Sequence, residues 1–209
     1  MRELIIYGAG AHAQEMAEIV DRLNRVEPTW RLLGFAIPEG HPDPAASALN
    51  GYPMLGGSDL FGRYADAAFL PEFGSGRLEI ERERIATLIA PTSFVSRTAN
   101  IGAGCVIYPN CFVGANASLG DRVFVLSGSA INHDDCLEDR VTLASGVTLA
   151  GGVHVEAECY LGQACSVRQD VRIGRGSLIG MGSVVLADVP PGVVMVGNPA
   201  RQLRRREDL

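Results

Sequence analysis

The stretch of this chain best equipped for proton chemistry is Asn132-His133-Asp134-Asp135, one imidazole followed by two carboxylates. Imidazole titrates near neutral pH and can take or give a proton there. An adjacent carboxylate can fix the ring tautomer and stabilise the imidazolium. The same residue types also suit a solvated turn whose His bonds a neighbouring segment, and type alone leaves both readings open. Asp135 is either a rival orienting acid or a cap for its turn.

A second group with chemical capacity is Gly8-Ala9-Gly10-Ala11-His12-Ala13, which follows the apolar Leu4-Ile5-Ile6-Tyr7 and precedes Met16, Ile19, Val20 and Leu23 on one helical face. Strand, glycine-rich turn and helix form a unit of the Rossmann kind, whose helix N-terminus offers free N–H groups to an anion such as phosphate. His12 on that turn either bonds a phosphate or sugar or caps and packs the helix. Metal chemistry is poorly provided for. A zinc anhydrase needs imidazoles converging on one ion, and after residue 89 only His133 and His154 are present. His41, in the Pro-rich loop Gly40-His41-Pro42-Asp43-Pro44, and His154 receive no role.

The element that must position His133 is written in a period of six. A branched aliphatic recurs from Ile89 through Val95, Ile101 and Ile107 to Ile179 and Val185 without a break. That period suits neither an α-helix nor a lone strand, but it is the mark of a parallel β-helix with a corner after each short strand. Four residues after each aliphatic stands a second column of mostly small residues, including Cys105, Cys111, Ser129, Cys159, Cys165 and Ser177, which Asp135 alone interrupts with a charge. Glycine follows the aliphatic at Gly102, Gly114, Gly120, Gly162, Gly174 and Gly180, where a corner needs positive φ or close backbone approach. Three strands per coil stack residues eighteen apart and give a prism roughly 25 Å long at the strand spacing. Cys105, Cys111, Cys159 and Cys165 read as small buried hydrophobes, with Cys105 and Cys159 about 14 Å apart and too far to bridge.

Before the prism, Arg31 to Ile37 predicts a second strand, Ala67 to Leu70 a third, and Leu78 to Leu88 a helix. The second strand ends in Gly34-Phe35-Ala36-Ile37-Pro38-Glu39, without the acidic residue that holds a dinucleotide ribose. A mononucleotide or sugar-nucleotide site is therefore favoured over NAD. The expected organisation is an α/β Rossmann-like βαβ substrate-binding domain over 1–88, an all-β left-handed parallel β-helix of hexapeptide repeats over 89–190, and a tail over 191–209.

Composition fits a cytosolic enzyme of small molecules. The chain has 209 residues, a formal charge of −6, no apolar run able to span a bilayer and no basic signal segment. Neither nucleic acid nor membrane is expected as a partner.

A βαβ unit joined to such a prism resembles the bacterial hexapeptide-repeat sugar acyltransferases of the sialic acid O-acetyltransferase group, which includes N-acetyltransferases of nucleotide-linked 4-amino-sugars for glycan synthesis. The residues that carry the resemblance are Gly8 to His12, Ile131-Asn132-His133-Asp134, Gly151-Gly152, and Val196-Gly197-Asn198-Pro199-Ala200-Arg201. It implies His133 as general base and Asp134 as its orienting acid. It further implies acetyl-CoA as donor, no metal, and a homotrimer with coenzyme grooves and active sites between adjacent prisms. Coenzyme contacts then fall to Thr142, Gly151, Gly152, Gln163 and Met181, with N–H groups near Gly151 and Gly152 polarising the thioester carbonyl. Substrate contacts fall to Gly8, Gly10, Ala11 and His12. Arg201, Arg204, Arg205 and Arg206 either meet coenzyme phosphates or form a solvated tail.

The chain departs from the family pattern at three places. Thr142 stands where some members carry a second His, Ala36 and Ile37 replace paired aspartates, and Pro71-Glu72-Phe73-Gly74-Ser75-Gly76 replaces a glycine-Asn/Asp-Asn segment. The leading acceptor is an amino group on a nucleotide-linked deoxysugar. A sugar or sialic acid hydroxyl stands second, and a non-catalytic trimeric scaffold is the reading from another class.

Overall fold

The computed structural model describes residues 1–37, 47–57, 59–74 and 80–206. They form two compact units, Met1–Pro91 and Thr92–Leu209.

The first unit is built on a sheet of β1 (Arg2–Tyr7), β2 (Trp30–Ala36), β3 (Ala48–Leu49), β4 (Tyr52–Gly56) and β5 (Ala68–Pro71), in the order β3-β4-β2-β1-β5. All neighbours are parallel except the hairpin of β3 and β4. Parallel strands covered on their faces read as continuous apolar runs, and Leu4, Ile5, Ile6 and Tyr7 on β1, between β2 and β5, are all buried. Helix α1 (Ala11–Val26) buries Ala13, Met16, Ala17, Ile19 and Val20 along one stripe, the spacing of an amphipathic helix.

The three predicted strands fall within a residue or two of β1, β2 and β5. The β3–β4 hairpin was not anticipated, although Asn50-Gly51 at its tip is a strong hairpin signal; both residues have positive φ, 48° and 80°. The helix expected over Leu78 to Leu88 is corrected. Among the described residues of that stretch there is only a 3₁₀ turn, Arg82–Arg84, followed by an extended pair, Leu88–Ile89. Ile85 pairs as a bridge with Phe69, so the chain runs extended beside β5 instead of coiling. Residues 75–79, Pro38-Glu39 and the His41 loop lie outside the described residues.

The second unit is a β-solenoid. Two-residue strands occur every six positions and pair in parallel with strands eighteen positions away. A first face carries Phe94–Val95, Phe112–Val113, Ala130–Ile131, Thr148–Leu149, Ser166–Val167 and Val184–Val185. A second runs from Asn100–Ile101 to Arg172–Ile173, and a third from Val106–Ile107 to Leu178–Ile179. The aliphatic column points inward: Ile107, Val113, Val125, Ile131, Leu143 and Leu149 are all fully buried. Each such side chain contributes roughly 1.5–3 kcal/mol.

Corners follow an equally strict rule. Asn110, Asn116, Arg122, Asp134, Arg140, Glu158, Ala164 and Asp170 have φ between 56° and 66°, and glycines at the same six-residue spacing, such as Gly128, Gly146 and Gly152, also have positive φ. The glycine that directly follows an aliphatic serves close approach: a Cβ at Gly114 would stand 2.7 Å from the Asn132 carbonyl carbon and 2.8 Å from the His133 nitrogen.

After the coils, Val193–Val196 pairs in parallel with Leu178–Ile179 and in antiparallel with Arg201–Arg205. The segment read from sequence as a tail is thus a hairpin on the third face. All five cysteines are free; Cys105, Cys111, Cys159 and Cys165 are buried in the inward column. Burial raises the Cys105 and Cys165 thiols to about 12 and Cys159 to about 11.

Candidate active site

His133 and Asp134 occupy the corner after Ala130–Ile131, where the first face turns into the second. Asp134 is the left-handed residue of that corner, with φ 61°. Its N–H donates to the Ala115 carbonyl one coil below, at 2.9 Å. This places its carboxylate beside its neighbour's ring, and His133 Nδ1 lies 2.9 Å from Asp134 Oδ2. The other carboxylate oxygen accepts from Asn116 Nδ2 at 3.0 Å. The bond to His133, then that to Asn116, hold the Asp134 carboxyl below the usual carboxylate range. Both side chains are open to solvent, 70% and 57% exposed.

Directly above stands Gly151. A Cβ there would lie 2.4 Å from His133 Cε1 and 2.6 Å from Nε2, so the ring takes the room that this glycine vacates. With Gly152, Gln169 and Asp170 the pair lines a pocket of about 170 Å³. The corner therefore brings together four of the predicted site residues: His133, Asp134, Gly151 and Gly152. One expected role needs correction. The Gly152 N–H donates to the His133 carbonyl at 3.0 Å, as the left-handed corner residues from Arg122 to Gly182 each bond a carbonyl one coil down, and it is not free to polarise a thioester carbonyl.

Asp135 does not orient the imidazole. Its side chain is fully buried, Oδ2 accepts from the Asn132 N–H at 2.7 Å, and Oδ1 accepts from the Val153 N–H at 2.8 Å. It fastens the corner of His133 to the coil that carries Gly151. Burial raises its carboxyl to about 7 against the pull of those two N–H bonds.

Gln163 and Met181 stand elsewhere. They occupy stacked corners between the third and first faces, where the Gly182 N–H bonds the Gln163 carbonyl at 2.8 Å, and Met181 is 75% exposed. A whole prism face separates them from His133 within one chain. Thr142 lies on the third face and is buried, paired with Phe124 and Tyr160. Arg201–Arg205 is an exposed strand, and Arg206 donates to the Gly176 carbonyl at 3.1 Å. His154 bridges Glu138 at 2.9 Å and Arg172 at 3.0 Å on the second face.

In the first unit, Gly8, Gly10, Ala11 and His12 come together at the turn from β1 into α1. The expectation of free N–H groups at the helix start is corrected at Gly10 and Ala13. The Glu72 carboxylate accepts from the Gly10 N–H at 3.1 Å and from the Ala13 N–H at 3.0 Å. His12 Nδ1 lies 3.2 Å from Glu15 Oε2, and its ring meets Phe73 edge-on with centroids 6.3 Å apart.

Sequence reasoning passed over Asn116, Gln169, Asp170 and Glu72. The first three were within reach, since positions eighteen before Asp134 and eighteen after Gly151 and Gly152 stack at the same corner. Among the described residues no cluster of three or more His, Cys, Asp or Glu is arranged to hold a metal ion, and no helix is long and apolar enough to cross a membrane.

No protein-family model matches the chain, and no curated protein sequence matches it. Solved structures do. The acetyltransferase domain of PglB from Neisseria gonorrhoeae FA1090 is similar with a TM-score of 0.81 at 26% identity, over 97% of this chain and 100% of that one; the same domain is known in complex with acetyl coenzyme A. WeeI from Acinetobacter baumannii AYE has a TM-score of 0.77 at 26% identity, over 97% of this chain and 100% of that one. PerB from Caulobacter crescentus, in complex with CoA and GDP-perosamine, has a TM-score of 0.80 at 24% identity, over 97% of each chain; at that identity the likeness is one of fold.

Proposed function

We propose that this chain is a hexapeptide-repeat sugar acyltransferase and, within that family, an acetyl-CoA-dependent sugar N-acetyltransferase. Its leading acceptor is the amino group of a nucleotide-linked 4-amino-deoxysugar. The observation that carries the reading is the His133–Asp134 pair at 2.9 Å, exposed on a solenoid corner with the imidazole packed beneath Gly151.

In this reading the solenoid is a left-handed β-helix, as in the family, and the Rossmann-like unit before it receives the acceptor. Asp134 accepts a hydrogen bond from the Nδ1–H of His133, which leaves Nε2 with its lone pair toward the pocket. The acceptor amine attacks the thioester carbon of acetyl-CoA, and His133 Nε2 takes a proton from the nitrogen as the C–N bond forms. Asp134 stabilises the imidazolium. As the tetrahedral adduct collapses, the C–S bond breaks and that proton passes to the departing coenzyme thiolate. No covalent acyl-enzyme is required.

The proposed coenzyme contacts favour an assembly. Gln163 and Met181 are a prism face away from His133, so one coenzyme can touch both only when a second subunit brings its corner alongside. A homotrimer with the site between prisms meets that condition. The stacked, half-exposed rings of Phe94 and Phe112, with centroids 5.1 Å apart on the first face, are of the type that such contacts bury.

A second reading, transfer to a hydroxyl of a sugar without nucleotide, is favoured by one observation: Glu72 holds two N–H groups of the glycine turn that a phosphate would use. Calorimetry with coenzyme A and then with UDP-, GDP- and dTDP-linked 4-amino-sugars tests both. Coenzyme binding with one nucleotide-sugar hit supports N-acetylation. Coenzyme binding without such a hit moves the assignment to a hydroxyl, and no coenzyme binding sinks the enzyme.

A further inference from the structure

The glycine turn of the first unit is filled from within. In the parallel pairing of β1 and β5, Tyr7 stands opposite Pro71, so Gly8 and Glu72 leave the sheet side by side at its carboxyl edge. The Glu72 N–H donates to the Tyr7 carbonyl at 3.0 Å, which fixes where the side chain begins. From there the carboxylate crosses the start of α1 and takes the N–H groups of Gly10 and Ala13.

The glycines of the turn are shaped to this side chain. Gly8 has φ 153°, and a Cβ on it would stand 2.2 Å from Glu72 Oε2 and 2.3 Å from its Cβ. A Cβ on Gly10 would stand 2.6 Å from Oε1. Nor does the helix supply its own cap: Gly10 is the N-cap, it makes no side-chain bond, and the first turn has no acidic residue. The anion that a helix N-terminus attracts is therefore a carboxylate from sixty-two positions away.

We infer that Glu72 is a specificity-determining residue that closes the glycine turn to phosphate, so that the first unit engages its acceptor there without gripping a phosphate group. An incoming phosphate would have to displace a carboxylate from two charge-assisted bonds or sit against its negative charge. The inference rests on the reading of this unit as the acceptor-binding part of a sugar acetyltransferase. It separates this chain from any protein whose glycine turn holds a diphosphate directly.

The test is calorimetric titration of the full-length protein with inorganic pyrophosphate, then with UDP, GDP and dTDP, in wild type and in Glu72→Ala and Glu72→Gln. Glu72→Ala frees both N–H groups and removes the charge; its pyrophosphate affinity is expected to rise at least about tenfold over wild type, as for an opened helix N-terminus. Glu72→Gln keeps the turn filled but neutral and should fall between. If Glu72→Ala does not fold, Glu72→Gln and Glu72→Asp, which withdraws the carboxylate by one methylene, carry the comparison. Wild type binding pyrophosphate as tightly as the variants overturns the inference. Coenzyme A titrated into the same samples keeps the two readings apart, since failure to bind it sinks the acetyltransferase assignment whatever pyrophosphate does.

Discussion

The imidazole of His133 occupies the space that a side chain at Gly151 would fill, with the Cβ position of Gly151 only 2.4 Å from Cε1 of the ring. Gly151 is outside the set of residues with positive φ, so alanine fits the backbone there, and the three atoms nearest its Cβ all belong to the imidazole. The ring is exposed and can swing away without disturbing the core. Gly151→Ala is therefore expected to leave the thermal midpoint nearly unchanged while kcat falls about ten- to a hundredfold, as for a displaced reacting group. A variant with unaltered turnover would show that the position of the ring against Gly151 is irrelevant to transfer.

The two members of the proposed pair should differ in weight. His133→Asn removes the proton acceptor and is expected to lower kcat by on the order of 10²–10⁴. Asp134→Asn keeps the bond from Asn116 geometrically possible but loses the charge, with an expected loss of about tenfold. Because Asp134 acts through His133, adding Asp134→Asn to His133→Asn should cost little more, the non-additivity of residues that work as a unit. Coenzyme affinity by calorimetry should be unchanged in all three. Full additivity in the double variant would mean that Asp134 acts on something other than the imidazole.

Most of the solenoid was legible because its rule is local and repeated. A branched aliphatic every six residues can be buried in one way only, and residues such as Ile131, Leu149 and Val167 lie where the period puts them. The site was legible as residue types and less so as neighbours. His133 and Asp134 are adjacent in sequence, and their pairing was readable. Asn116 and Asp170 reach the corner only through stacking at eighteen residues. Glu72 was the hardest to foresee, since its place depends on which strands of the first unit are neighbours. The order β2-β1-β5 is a tertiary outcome that no periodicity in a strand of four residues encodes.

Thiol accessibility offers an independent test of the inward column. Cys105, Cys111, Cys159 and Cys165 are buried and their thiols are pushed up by burial, so each lacks both access and thiolate character. Cys136 is on the outer row of the second face and only partly buried, although burial and then Glu138 raise it too. Titration of the native protein with a chromogenic disulfide should release at most one thiol equivalent quickly, and the rest only on unfolding. Cys136→Ser should abolish the fast phase. Rapid reaction of several native thiols would contradict the packing of the column.

Asp135 makes the sharpest prediction about pH. Its carboxyl has an ordinary value of 3.8 and is raised to about 7 in the fold, chiefly by burial. Between those values the folded protein keeps a proton that the unfolded chain gives up, so this group makes stability fall as pH rises from about 4 to about 7, with no further change above that window. His133 and Asp134 are the charged neighbours that act on it, in opposite senses. Other carboxylates behave the other way: Asp134, Glu156 and Glu158 are lowered in the fold, and their contributions are lost as pH falls. A difference measurement removes them. Elsewhere in the same column Ser129 and Ser177 already accept the corresponding N–H groups of Val147 and Val193, each at 3.3 Å, so Asp135→Ser keeps a bond to Val153 while deleting the titration. Urea unfolding of wild type and Asp135→Ser across pH 4.5 to 7.5 should show the variant gaining on wild type as pH rises. Parallel stability curves would mean that Asp135 does not hold its proton in the fold, and the buried link between the corner of His133 and the coil of Gly151 would then be carried by a fully ionised carboxylate.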